Sequence, residues 1–220
     1  MENGHRYNQF IKEMNHEDRS VLEQGTLRSL PDRSTHRQSL FPKCKDYVKT
    51  DIGQCIDVDV VSDAHKMGEV FGANSFDGVL SCSVFEHLER PWIAAESIRE
   101  VLKPRGLVFI QTHQTFPIHG YPSDYYRFSK EALKSLFGPA SGFEVISSGY
   151  SYPCTISFSE GQEPLGCTTA RDSENHCWLN VSILSRKVKE NNYGKQRKKK
   201  KRKKETRKAN ASGKEKKKKR

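Results

Sequence analysis

The feature that most constrains this chain is an alternation. Short apolar runs, each closing on a polar or acidic residue, take turns with segments whose apolar positions recur at helical spacing. Strands are expected at 19–25, 46–51, 58–63, 76–82, 107–112, 143–148 and 178–185. A first amphipathic helix is expected over 5–16, with Phe10, Ile11 and Met14 on one side. A second opens at Pro91, carries Ile93, Ala94, Ile98, Val101 and Leu102 on one face, and is stopped by Pro104, Arg105 and Gly106. A third runs to Phe137 from a Ser129 cap, with Glu131 in its first turn, where negative charge is favoured. The polar stretch 26–42 holds at most a short helical turn near Leu40 and Phe41. Strands alternating with helices predict an α/β fold with a mostly parallel sheet covered on both faces. Such sheets bind ligands beyond the carboxyl ends of their strands. Here those ends are Glu23 to Gly25, Asp51, Asp63, Ser81 to Glu86, and Thr112 with His113.

Charge separates the chain into parts. Its 220 residues hold 38 Lys and Arg against 27 Asp and Glu, a net +11. Residues 195–220 alone hold 17 Lys and Arg and two acids, a net +15, which leaves 1–194 at −4. The expected organisation is a helical lead-in (1–18), a folded domain (19–190) and a disordered Lys/Arg-rich tail (191–220) too poor in apolar side chains to build a core. The runs at 198–204 and 216–220 resemble nuclear-localisation or nucleic-acid patches. They lack interleaved aromatics, so the partner class they admit is a nucleic acid or other polyanion bound non-specifically through phosphates. No apolar run approaches the ~18 residues of a membrane span, and the start of the chain is too polar for a signal peptide. The six cysteines (44, 55, 82, 154, 167 and 177) form no C-x-x-C pair and are expected to be reduced. A cytoplasmic location is expected, or a nuclear one if the host has a nucleus and reads the tail as an address.

Two stretches carry a family likeness. Residues 75–88, S-F-D-G-V-L-S-C-S-V-F-E-H-L, and 98–107, I-R-E-V-L-K-P-R-G-L, resemble in order and spacing the class I S-adenosylmethionine-dependent methyltransferases of the type 11 group. The likeness runs from about Ser20 to Lys187. A later stretch, 119–129, is similar to a loop in a subset of that group. The resemblance implies a Rossmann-like three-layer sandwich with a seven-stranded, mostly parallel sheet and one antiparallel strand. It implies S-adenosylmethionine as cofactor, held by Glu23 and Gly25 in the first-strand loop and by Asp51 on the ribose hydroxyls. Asp63 and Ala64 would read the adenine amino group, and Ser81 and Ser83 lie at the fourth strand end. The family's glycine-rich turn is reduced to Glu23-Gln-Gly25-Thr-Leu-Arg28, and only 12 positions separate Asp51 from Asp63.

Methyl transfer is an in-line displacement whose leaving group departs neutral, so alignment supplies much of the rate and a base is needed only where the acceptor must lose a proton. The candidate catalytic bases are His113 and His119, and the candidate acceptor-binding residues are His87, Asp124, Tyr125 and Arg127. No metal ligand set is expected. Cys154, Cys167, His176 and Cys177 lack the paired spacing of a zinc site. The Asn180 and Asn210 sequons read as chance matches without an export signal. The long stretch 153–176 reads as a lid, a substrate loop or a mobile segment. Three functions stay open: a methyltransferase with an unidentified acceptor, a methyltransferase-like binding module without catalysis, and a nucleic-acid adaptor working through the tail.

Overall fold

The computed structural model describes residues 4–28, 32–120, 122–156 and 177–189. The chain divides into two compact units, Met1–Lys187 and Val188–Arg220, and every element below lies in the first. The basic tail, Cys167, His176 and Asn210 lie outside the described residues.

Seven strands form one sheet: β1 (Ser20–Gln24), β2 (Asp46–Asp51), β3 (Val60–Val61), β4 (Phe76–Cys82), β5 (Leu102–His113), β6 (Phe143–Cys154) and β7 (Cys177–Lys187). Their order across the sheet is β3-β2-β1-β4-β5-β7-β6. The first five pair in parallel, and β7 runs antiparallel between β5 and β6. The strand order reverses between β1 and β4, which places the topological switch point, where open α/β sheets bind ligands, over Gly25 and the β4 end.

Period-two alternation decides which side chains face which layer. Leu22, Val79, Val108, Ile110, Val181 and Ile183 face a core shared with α2 (Met67–Phe71), α3 (Pro91–Val101) and α4 (Lys130–Phe137). Val21, Leu80, Leu107, Phe109 and Leu184 face the opposite way, onto Phe10 and Met14 of α1 (His5–Met14) and onto Phe41. Each such fully buried side chain contributes roughly 1.5–3 kcal/mol of burial. The sheet is thus the middle layer of three. Gly78 lets α1 sit close, since a Cβ there would lie 2.6 Å from Met14 Sδ.

Several expectations shift at their edges. The third strand shrinks to Val60–Val61, because Asp57, Asp59 and Ser62 turn to side-chain and loop partners around it. β5 starts at Leu102 rather than 107: Leu102 pairs with Phe76, and the register then jumps so that Leu107 pairs with Gly78. β6 runs on to Cys154, with a register shift between Val145 and Ser147. The Ser129 cap forms as expected, its hydroxyl accepting from the Ala132 amide at 3.1 Å. The turn at Gln38–Leu40 is a single 3₁₀ turn.

Candidate functional site

The carboxyl ends of the parallel strands form a rim with two unlike sides. On the β1–β3 side the turn after β1 depends on Gly25, whose φ of +87° favours glycine. A Cβ at this position would overlap Val84 Cγ2, so the turn lies directly against the segment that leaves β4.

The acids on this side are engaged. Glu23 is fully buried on the α1 face, where its carboxylate accepts from the Arg37 amide (2.8 Å), Arg37 Nη1 (2.9 Å) and Tyr47 Oη (2.7 Å). Burial and the Glu23 charge push the Tyr47 hydroxyl well above its ordinary value. Glu23 therefore ties residues 35–37 to the sheet instead of entering the crevice. Asp51 accepts the Leu27 amide on Oδ2 (2.9 Å) and the Ile52 amide on Oδ1 (2.7 Å), which joins the β1 turn to the β2 tip. Asp63 caps the 3₁₀ turn Ala64–Lys66: its Oδ1 accepts from the His65 amide (2.9 Å) and lies 2.7 Å from His65 Nδ1. Burial works against the charge of Asp63, yet the His65 amide and ring hold its carboxyl below the ordinary value. Ala64, the first residue of that turn, is buried. Arg28 forks onto Asp57 and bridges the β1 turn to the β2–β3 loop.

Some buried polar atoms on this side are left over. Gln24 Oε1, Thr26 Oγ1 and Ser81 Oγ find no hydrogen-bond partner among the described residues, and Gln24 and Ser81 are register partners across β1 and β4. Ser83 is exposed at φ +54°, and its amide donates to the Gln111 carbonyl.

The β4–β5 side gathers imidazoles around one buried acid. After β4 the chain makes a 3₁₀ turn, Phe85–His87, in which Glu86 has no exposed surface. Its Oε2 accepts from Thr112 Oγ1 at 2.6 Å. Its Oε1 faces His113 Nε2 at 3.1 Å and His87 Nε2 at 4.0 Å, and no N–H among the described residues is aligned on it. Burial opposes the charge of Glu86, but His113 and Thr112 hold its carboxyl below the ordinary value. His113 stacks on Phe116, with ring centroids 4.2 Å apart. The His119 ring lies 4.9 Å from that of His87 and 5.3 Å from that of His113.

A loop holds this cluster in place. The Glu86 carbonyl accepts the Tyr125 and Tyr126 amides, and the His113 carbonyl accepts the Phe128 amide. Asp124 pairs bidentately with Arg127 and accepts the His119 amide at 2.8 Å, while Arg127 also donates to the Phe116, Pro117 and Tyr126 carbonyls. Arg127 pulls the Asp124 carboxyl far below its ordinary value. Asp124 and Arg127 thus staple the loop to itself. Tyr125 is half exposed at its tip.

The structure brings His87, His113 and His119 together. It adds Glu86, Thr112, Phe116 and Asn180, none of which the sequence reading singled out as a site residue. Glu86 had a signal, an acid preceding a histidine directly after a buried strand. Asn180, whose Oδ1 lies 3.1 Å from His113 Nδ1, is 67 positions away and had none. Cys154 and Cys177 meet across β6 and β7 as free thiols with Sγ atoms 3.1 Å apart. A groove of about 810 Å³ opens at the other end of the sheet, between α1 and residues 104–107. Charges of both signs line it, and several pair with one another (Arg19 with Asp77, Arg186 with Glu13), so it offers no focused chemistry.

A family described as a methyltransferase domain matches residues 39–110, from just before β2 to the middle of β5. Solved structures share the fold over most of the chain. The YcgJ protein of Bacillus subtilis is 16% identical at a TM-score of 0.59, over 84% of this chain and 99% of its own. An S-adenosylmethionine-dependent methyltransferase from Archaeoglobus fulgidus is 16% identical at 0.57, over 84% and 91%. Another, from Mesorhizobium loti, is 12% identical at 0.55, over 84% and 99%. Residues 39–110 thus match a methyltransferase-domain family, and the chain has the fold of class I methyltransferases. A search of curated proteins finds no match.

This chain's departure from the family pattern, the single-glycine turn with Arg28, precedes the matched segment. The residues present fit S-adenosylmethionine. Gly25 supplies a turn without a side chain of its own, packed against Val84, and Gln24, Thr26 and Ser81 supply buried polar atoms without a partner among the described residues. A carboxylate offers about four acceptor sites, so Asp51 keeps two beyond the amides of Leu27 and Ile52. Among the described residues no helix is long and apolar enough to cross a membrane.

Proposed function

We propose that this methyltransferase domain is catalytically active and transfers the methyl group of S-adenosylmethionine to an acceptor seated against the β4–β5 rim. When bound, the cofactor supplies an electrophilic methyl group on a sulfonium. The remaining chemistry belongs to the chain. Gly25, Thr26 and Gln24 would receive the cofactor at the switch point, and Asp51 would orient its ribose. His87 would help hold the acceptor, and His113 or His119 would assist its deprotonation. Glu86, buried beneath them, would stabilise whichever ring becomes charged, as a carboxylate does behind a catalytic histidine. Phe116 and the 116–128 loop would exclude water from that side.

The observation that carries this reading is the convergence of three imidazoles on the buried Glu86 beside the glycine turn. The test is a thermal-shift titration with S-adenosylmethionine and S-adenosylhomocysteine, followed by labelled methyl transfer over cell fractions. A ligand at 100 times its dissociation constant should stabilise the domain by about 2.7 kcal/mol, and the absence of any shift would rule the reading out. A second reading, a binding module without catalysis, is favoured by one feature: the Arg28–Asp57 fork joins two loops that border the cofactor side. Cofactor binding without turnover in every fraction would select it. The acceptor class, a cytoplasmic or nuclear location, and polyanion binding through the tail remain part of the proposal.

A further inference from the structure

The β4–β5 cluster has an electrostatic arrangement that points beyond acid–base chemistry. Each of its three imidazoles has its Nδ1 turned to oxygen acceptors. His87 Nδ1 lies 2.7 Å from the Ser123 carbonyl. His113 Nδ1 lies 3.1 Å from Asn180 Oδ1. His119 Nδ1 lies 3.1 Å from the Pro117 carbonyl and 3.3 Å from Asp124 Oδ2. An oxygen acceptor requires the proton to sit on Nδ1, so in the neutral ring each Nε2 carries a lone pair. Two of these lone pairs, on His87 and His113, lie 4.0 and 3.1 Å from Glu86 Oε1, a fully buried oxygen with no hydrogen-bond partner among the described residues.

Lone pairs facing a carboxylate at this range need a cation between them. One proton would serve one ring. Asp124 faces His119 alone, so His87 and His113, if both protonated, would share the single carboxylate of Glu86. A divalent ion would engage Glu86, His113 and His119 at once. The surroundings match as well, since metal-binding histidines characteristically donate their other ring N–H to a carbonyl or carboxylate.

We infer that Glu86 Oε1, His113 Nε2 and a ring nitrogen of His119 form a binding site for a divalent first-row transition ion. The mixed nitrogen and oxygen donors suit zinc, iron(II) or cobalt(II). With metal–ligand bonds of about 2.0–2.2 Å, neighbouring donors stand roughly 3.0–3.5 Å apart, and the Glu86–His113 separation of 3.1 Å agrees. Donor atoms of Glu86, His113 and His119 lie within 4.8 Å of one another. Two such bonds span at most about 4.4 Å, so any excess would have to be taken up by His119, whose side chain is 30% exposed. The ligand class such an ion would take is an oxygen acceptor, a hydroxyl or carboxyl group, made easier to deprotonate by coordination. That last role rests on the methyl-transfer reading; the metal site itself does not.

The test uses the full chain without a polyhistidine tag, stripped by chelator and dialysed against Zn²⁺ and, separately, Co²⁺. The expected result is one ion per chain by elemental analysis, and a visible cobalt spectrum showing nitrogen and oxygen ligation. Glu86→Gln and His113→Ala should each weaken the ion at least 100-fold. Asn180→Ala, which frees the far side of His113, should weaken it 10- to 100-fold. His119→Ala, at a partly exposed loop position, covers the case in which the buried variants do not fold. A Cys154→Ser, Cys177→Ser double variant should keep the ion. The inference is overturned by sub-stoichiometric metal, by an ion that survives both His113→Ala and His119→Ala, or by one lost with the cysteines. It is equally overturned if His113 titrates in the metal-exposed protein as an ordinary imidazolium paired to Glu86. Binding of S-adenosylmethionine is measured separately by thermal shift, so its failure removes the methyl-transfer reading and leaves the metal result standing.

Discussion

The two sides of the strand-end rim are built from similar residue types and use them differently. On the β1–β3 side, Glu23, Asp51 and Asp63 each meet nearby donors: Arg37 and Tyr47, two loop amides, and His65. Their charges serve to join segments. On the β4–β5 side, Glu86 meets one hydroxyl and then faces ring nitrogens whose protons are committed elsewhere. An acid at a strand end is therefore not a site by itself. Chemistry is available where buried donors and acceptors fail to cancel, and that condition holds at Glu86, with a weaker version at Gln24, Thr26 and Ser81.

The comparison is broken most directly at Glu86. Glu86→Gln should lower methyl transfer by about 10² to 10⁴-fold, the usual worth of acid–base assistance, while S-adenosylmethionine binding stays intact. Turnover within threefold of wild type, measured with labelled donor, would move the chemistry away from the β4–β5 side. Next comes Gly25→Val, which forces a side chain onto Val84 at positive φ. It should abolish the cofactor-dependent thermal shift and cost at least about 1 kcal/mol in urea unfolding.

Asp51→Ala should raise the cofactor dissociation constant about 10- to 100-fold, since hydrogen bonds to a charged group are worth ~1.5–3 kcal/mol. Asp51→Asn, which retains one acceptor, should lie between it and wild type. A smaller effect comes from acid. Burial opposes ionisation of Asp77, but Lys103 with Arg19 holds its carboxyl below the ordinary value; Arg127 does the same for Asp124. The unfolded chain then binds more protons, so this stability is full above the ordinary carboxylate value of ~4 and is lost as pH falls through the lower folded values. Urea midpoints should be flat from pH 7 to 5 and drop below about pH 4; a midpoint that rises on acidification would contradict the assignment. The smallest effect is expected from deleting 195–220, which should leave cofactor binding unchanged and remove salt-sensitive polyanion binding. Retained tight binding of DNA or RNA by the truncated domain would show that the folded part itself contacts nucleic acid.

Much of the fold was legible because it depends on periodicity. β2, β4 and α4 lie where the pattern puts them, since alternating or helical apolar spacing and the Ser129 cap are local properties. The Leu102 start of β5 was not legible: Pro104, Arg105 and Gly106 read as a stop, and only pairing with Phe76 makes Leu102 part of a strand. The rim was half legible. Strand ends place Gly25, Asp51, Asp63, His87 and His113 at one end of the sheet. They do not say that Asp124 and Arg127 would satisfy each other, or that Glu23 would point to the α1 face.

The sequence by itself determined the layered α/β architecture, the charge contrast between body and tail, and the set of polar residues at the carboxyl ends of the strands. Those follow from local spacing, composition and chain direction. Only the tertiary structure decided which of these polar groups remain available. Hydrogen-bond satisfaction depends on partners from distant segments, such as Asn180 behind His113 and Arg37 on Glu23, and a group's chemistry is set by what those partners leave unpaired.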